Sequence, residues 1–327
     1  MQLLIPLVIA SVIFDFLNGF HDSSNVVATV ISSRAMSPRR ALYMAATAHF
    51  AAPFIFGVAV ATTVGKGVIS PSAISPAVIL GAVLSAIIWN ILTWWLGIPS
   101  SSSHALIGGL LGASILAEGF GVVHLDGLTK VLLALFLSPL IGLLAGYLLM
   151  RLLLVISSDM SPRVSNVYKR LQILTSLSLA LSHGTNDAQK TMGIITMGLV
   201  STGYQETFHV PTWVIALSAG AIALGTALGG WRLIRTLGGR IYKIRPIHGF
   251  TSQAASAGVI LSAALLGGPV STTQVVGSAI MGAGAAERIS KVRWNVGGEM
   301  LITWVLTIPA TAAVAALLYI PLQRFFP

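Results

Sequence analysis

The chain has 327 residues, of which 55% are hydrophobic and 9% charged, and its mean hydropathy of +0.87 places it outside the soluble globular range and among polytopic membrane proteins. It contains no cysteine, which excludes disulfide frameworks, thiolate metal sites and thiol nucleophiles. The formal net charge of +10 is concentrated: 15 of the 19 Lys and Arg fall in four short stretches, at 34–40, 151–170, 232–245 and 288–293, and so mark cytoplasmic loops and contact with anionic membrane lipids, not a nucleic-acid surface.

Threading the apolar runs through these loops gives the elements in chain order. Residues 3–31 run from outside to inside, 42–64 return outward, 76–116 form a helical hairpin that opens outside, and 128–150 come back in. The N-terminal run lacks a basic flank and is expected to be a retained span instead of a cleaved signal. A short polar junction at 151–171 is expected to be a cytoplasmic linker. Residues 171–200 then go out, 211–229 come in, 247–286 form a hairpin opening inside, and 296–320 go out. Lys66, Glu118, Asp126, Lys130 and Glu206 are placed outside. The fold class is therefore an all-α polytopic membrane protein with two inverted-topology repeats, residues 1–150 and 172–327, each with a broken helix and a helical hairpin.

Two doubled motifs support the duplication. His21-Asp22-Ser23-Ser24-Asn25 is answered by Asn186-Asp187-Ala188-Gln189-Lys190, and Pro99-Ser100-Ser101-Ser102-Ser103-His104 by Pro269-Val270-Ser271-Thr272-Thr273-Gln274. The first pair predicts unwinding, at Asn18-Gly19-Phe20-His21-Asp22 and at Ser182-His183-Gly184-Thr185-Asn186-Asp187, because glycine and polar side chains compete with helical hydrogen bonds. In the second pair, Pro99 and Pro269 are expected at the first helical position, with the hydroxyls capping exposed amides.

Polar groups in apolar flanks need something polar to serve. Helix starts lined by Ser101, Ser102, Ser103, Ser271, Thr272 and Thr273 suit a tetrahedral oxyanion. Asp22 and Asp187 superimpose in the repeat and would bind Na+ through oxygen ligands or carry protons, with Asn25 and Asn186 completing the shell. Lys190 either meets the substrate or neutralises Asp187 one turn away. Asp15, matched by Ala180 in the repeat, is expected to make a structural hydrogen bond. His21, His49 and His104 are either proton carriers or satisfied core residues, and Gly108, Gly109, Gly112, Gly277 and Gly282 permit close helix packing.

Over nearly its full length the chain resembles the inorganic phosphate transporters called PiT. The resemblance is carried by residues 18–25, 99–109, 183–190 and 269–273. It implies a secondary-active symporter in a bacterial plasma (inner) membrane, moving inorganic phosphate or metal-phosphate by alternating access, with phosphate ligands at Asp22, Asn25, Ser101, Ser102, Ser103, Asp187, Ser271, Thr272 and Thr273. Sodium-coupled relatives carry glutamates where this chain has His49 and Gln253, so the coupling ion is expected to be H+ ahead of Na+, with Asp22, Asp187, Asn186 and His49 handling it. No catalytic residue, cofactor or fixed metal site is assigned, and a homodimer is compatible with the sequence. Sodium coupling and sulfate as substrate are the alternatives within the family. An anion channel and an intramembrane Ser/His/Asp hydrolase rank behind them, since the chain has paired hydroxyl runs and no Gly-x-Ser-x-Gly.

Overall fold

The structure is a computed structural model and describes residues 4–70 and 73–326, so Leu3 lies outside the described residues, as does the side chain of Lys66. Twelve α-helices follow one another among the described residues: α1 (Leu4–Ser32), α2 (Pro38–Phe56), α3 (Ala59–Lys66), α4 (Pro76–Leu96), α5 (Ser102–Glu118), α6 (Leu125–Ile156), α7 (Val164–Ser201), α8 (Thr212–Leu228), α9 (Trp231–Arg235), α10 (Pro246–Leu265), α11 (Thr272–Glu287) and α12 (Trp294–Leu322). The same series occurs twice: a long helix bearing the Asp motif, a bent pair, a hairpin, and a closing helix. By length and apolarity α1, α4, α6 and α12 can each cross a membrane, and the bent pairs α2–α3 and α8–α9 can do so as units. The predicted junction is shorter than 151–171, because α6 continues to Ile156 and α7 begins at Val164.

The positions of the breaks correct the sequence reading. Both α1 and α7 pass through their Asp motifs as uninterrupted helices, and the chain bends instead at Gly57, by 82°, and around Gly229, by 60°. Gly19 and Gly184 serve close approach, not unwinding: a Cβ on Gly19 would lie 2.1 Å from the Ile222 carbonyl oxygen, and one on Gly184 would lie 2.8 Å from His49 Cα. The true breaks have left-handed glycines, with φ of 81° at Gly57 and 73° at Gly229, where side chains other than glycine are strained.

Each break is held by the motif helix of the other half. Gln189 of α7 accepts from the amides of Val60 (2.7 Å) and Ala61 (3.2 Å) and donates to the Gly57 carbonyl (2.6 Å), which satisfies groups orphaned at the end of α2 and the start of α3. Ser23 of α1 accepts from the Gly230 amide at 2.9 Å. Gln189→Ala is expected to lower stability by about 1–2 kcal/mol, since it strands buried amides; thermal unfolding of the purified protein in detergent measures it.

The hairpins are interlocked between halves. α5 packs on α12, with Gly112 so close that a Cβ would lie 2.0 Å from the Ala312 carbonyl oxygen, and α11 packs on α6, where Gly146 and Gly282 play the same part against Ala279 and Leu143. Residues from all four basic stretches, Arg34, Lys169, Lys243, Arg245 and Arg293, line one cavity of about 670 Å³. The four loops therefore gather at one end of the molecule, as the charge pattern requires of a common cytoplasmic face.

Candidate functional site

α1 and α7 bring the two motifs together in the core, and the tips of both hairpins close on them. Ser101 and Ser271 are the N-caps of α5 and α11, each accepting from the amide three residues on, of His104 (3.2 Å) and Gln274 (3.4 Å). Pro99 and Pro269 therefore stand two residues before their caps instead of at the first helical position; Pro76 and Pro246 occupy that position, at the starts of α4 and α10. The amides of Ser102, Ser103, Thr272 and Thr273 belong to first turns, which have no intrahelical acceptor. The tips touch: Ser103 Oγ donates to the Val270 carbonyl at 3.2 Å, and His104 Nε2 lies 3.4 Å from Gln274 Nε2.

The second tip, at the start of α11, grips both of the paired carboxylates. Thr273 Oγ1 donates to Asp22 Oδ1 at 3.1 Å and receives the Asn25 side-chain amide at 3.0 Å, while Thr272 Oγ1 donates to Asp187 Oδ2 at 2.9 Å. Lys190 forms an ion pair with Asp187, three residues away on the same helical face. His21 Nδ1 lies 2.9 Å from Asp22 Oδ1. Asn186 reaches the base of the second tip by donating to the Gly268 carbonyl at 3.3 Å. Asp22, Asn25, Ser101, Ser102, Ser103, Asp187, Lys190, Ser271, Thr272 and Thr273 are all at most 3% exposed, so the whole constellation is enclosed by protein.

One member was not singled out in the sequence. His183 Nε2 lies 3.0 Å from Asp187 Oδ2 and 3.9 Å from Asp22 Oδ2, a charge contact without hydrogen-bond alignment, and its imidazole stands between the two carboxylates. Its spacing of four before Asp187 puts both on one face of α7. His49, from α2, stacks on it with ring centroids 4.8 Å apart and holds Thr226 Oγ1 at 2.8 Å through Nδ1. Donor atoms of Asp22, His183 and Asp187 all lie within 4.8 Å of one another, close enough to share a cation. Gln253, from α10, meets α1 further along, donating to the Val26 carbonyl at 3.3 Å and accepting from Thr175 at 3.0 Å. Asp15, expected to make a structural hydrogen bond, has the hydroxyls of Thr191 and Ser218 turned toward its carboxylate, though neither reaches full hydrogen-bond alignment.

Residues 18–315 match the model of the Phosphate transporter family. The chain belongs to that family. It is 45% identical over 319 residues to a Rhizobium meliloti protein and 43% identical over 328 residues to a Bacillus subtilis protein, both named "probable low-affinity inorganic phosphate transporter"; the matches cover 97% and 99% of this chain and 96% and 98% of the relatives. A solved structure described as the sodium-dependent phosphate transporter shares its fold, with a TM-score of 0.89 at 25% identity over 99% of this chain and all of that one. As a member of the phosphate transporter family the protein is a transporter and not an enzyme.

Proposed function

We propose that this phosphate transporter family member is a secondary-active symporter that carries inorganic phosphate through the enclosed site, with protons as the driving ion, in a bacterial plasma membrane. The observation that carries this reading is the doubled grip of one hairpin tip on both motif helices, Thr273 on Asp22 and Thr272 on Asp187, with the other tip joined to it through Ser103 and the Val270 carbonyl. First-turn amides and hydroxyls from two tips supply the donors a tetrahedral oxyanion needs in a dry site. Phosphate beside two carboxylates is repelled unless cations or protons travel with it, so the same centre that binds substrate demands coupling. Lys190 offsets the charge of Asp187, whereas Asp22 has no cationic side chain of its own and only imidazoles, His21 and His183, beside it.

The halves of the chain, 1–150 and 172–327, act in this reading as inverted repeats that rock about the shared site, the tips being the parts that part on either side. His49 and Gln253 favour protons, since neither supplies the anionic oxygen that strengthens a sodium site. The first-turn amides of Ser102, Ser103, Thr272 and Thr273 are the phosphate donors in this reading, their free hydroxyls being those not already given to Asp22, Asp187 and Val270, and Asn25 orients Thr273.

Uptake of labelled phosphate into proteoliposomes tests the proposal. The expected result is accumulation above the equilibrium level under an inward proton gradient, without a requirement for sodium, and little competition from sulfate. Uptake that responds to a sodium gradient alone, or that never exceeds equilibrium, contradicts proton symport. Thr273→Val, which keeps the shape but removes the hydroxyl shared by Asp22 and Asn25, is expected to weaken half-saturation for phosphate by about ten-fold.

A further inference from the structure

The transport reading gives no part to the outer half of α1, yet that half carries an unusual set of side chains. Ser11, Asp15, Asn18, Asp22, Asn25 and Thr29 follow one another at steps of four and three residues, which puts them along one face of the helix. All six are at most 1% exposed. The stripe rises about 10 Å from Asp22 to Asp15 at 1.5 Å per residue. Along it Ser11 Oγ and both polar atoms of Asn18 have no hydrogen-bond partner, and Asp15 is met by only two hydroxyls, Thr191 Oγ1 of α7 and Ser218 Oγ of α8, neither in full hydrogen-bond alignment with it.

A carboxylate in a dry interior is tolerated only when its charge is met. The charged groups facing Asp15 are Asp187 and Lys190, both from α7; Lys190 is bound to Asp187, and α4 and α8 contain no charged residue. Asp15 has no ion-pair partner among the described residues. Its surroundings, one carboxylate with the amide oxygen of Asn18 and the hydroxyls of Thr191 and Ser218, are the hard oxygen donors that a monovalent cation takes.

We propose that Asp15 binds the coupling cation, as an ionisable station two turns outward from Asp22 on the buried polar stripe of α1. This rests on the symport reading above. The ligand is H+ or Na+, both of which a buried carboxylate with oxygen neighbours accepts, and the stripe of Ser11, Asp15 and Asn18 connects that station to the phosphate site. Filling Asp15 neutralises a negative charge near Asp187 and so favours entry of the anion, which is the energetic link that symport requires.

The test separates coupling from substrate handling by comparing two assays on Asp15→Asn in proteoliposomes. Phosphate–phosphate counterflow, which needs the site to move but no gradient, is expected to stay within about two-fold of the unaltered protein, while gradient-driven accumulation falls at least about ten-fold, to the equilibrium level. The gradient whose effect disappears, proton or sodium, identifies the cation. Retained accumulation overturns the proposal, since a neutral amide would then do all that Asp15 does. Loss of both assays in folded protein also overturns it, by placing Asp15 in substrate binding or in the fold. If Asp15→Asn is not recovered folded, Ser218→Ala is measured instead: a several-fold higher cation concentration for half-maximal uptake, with unchanged counterflow, supports the site, and an unchanged cation dependence rejects it. Unaltered protein that neither exchanges nor accumulates phosphate would reject the symport reading itself, an outcome distinct from all of these.

Discussion

Replacing Asp187 by Asn is expected to abolish phosphate uptake and to destabilise the protein by about 3–5 kcal/mol, because Lys190, 1% exposed, would be left as an unpaired buried charge. Asp22→Asn should remove uptake equally, by at least about 100-fold, but with a smaller loss of stability: Asp22 has no lysine partner, and an amide can still accept from Thr273. The two acids sit at equivalent places in the repeat and yet differ in this way. A double replacement, Asp187→Asn with Lys190→Met, separates the roles, since it removes the stranded ammonium. Thermal unfolding should return most of the lost stability while uptake stays absent. Recovery of uptake in the double variant would mean that Asp187 serves only to neutralise Lys190.

The second large effect concerns packing. Gly19→Ala is expected to cost about 2–3 kcal/mol and to reduce folded yield sharply, since the new methyl group would meet the Ile222 carbonyl oxygen at 2.1 Å, and backbone cannot step aside as a flexible side chain would. The partner helix has a reciprocal constraint: a Cβ on Gly225 would lie 1.9 Å from the Phe16 carbonyl oxygen. Gly220, also in α8, has nothing within 4 Å of a Cβ, so Gly220→Ala serves as the control and should leave unfolding temperature nearly unchanged. Equal behaviour of the two variants would show that α1 and α8 are not in close contact.

These two results bear on what could be read from the sequence. Asp22, Asp187 and the hairpin tips were legible because polar side chains in apolar runs are conspicuous, and because the two motifs repeat at spacings of 165 and 170 residues. The location of the bends was not. Gly19 looks like a breaker when read alone, and only the approach of Ile222, some two hundred residues later, explains why that position must be glycine in an intact helix. In the same way Gln189 and Ser23 reveal their function only through their contacts with Gly57, Val60, Ala61 and Gly230 across the chain. His183 escaped notice because alignment of the motifs paired His21-Asp22 with Asn186-Asp187, whereas a helix places the histidine that faces Asp187 one turn earlier. A hydrogen bond for Asp15 was the natural expectation for a buried acid, and the hydroxyls that meet it, Thr191 and Ser218, lie on two other helices and so leave no local mark in the sequence.

The site also shows how two unequal copies make one asymmetric centre. Asn25 meets Thr273, whereas its counterpart Lys190 turns back on Asp187. His104 holds Ser101 Oγ at 2.7 Å through Nδ1, and its counterpart Gln274 lies beside it. The first half thus contributes a carboxylate held by Thr273 and His21, and the second one paired with Lys190.

The claim that phosphate binds once per chain, where both halves meet, is tested most directly by a density map of the protein determined with and without saturating phosphate. The expected result is one added tetrahedral feature between the tips at Ser101 to Ser103 and Ser271 to Thr273, within hydrogen-bond reach of Thr272 or Thr273 and close to Asp22. A phosphate feature confined to the basic cavity of Arg34, Lys169 and Arg293, with no added density between the tips, would contradict it.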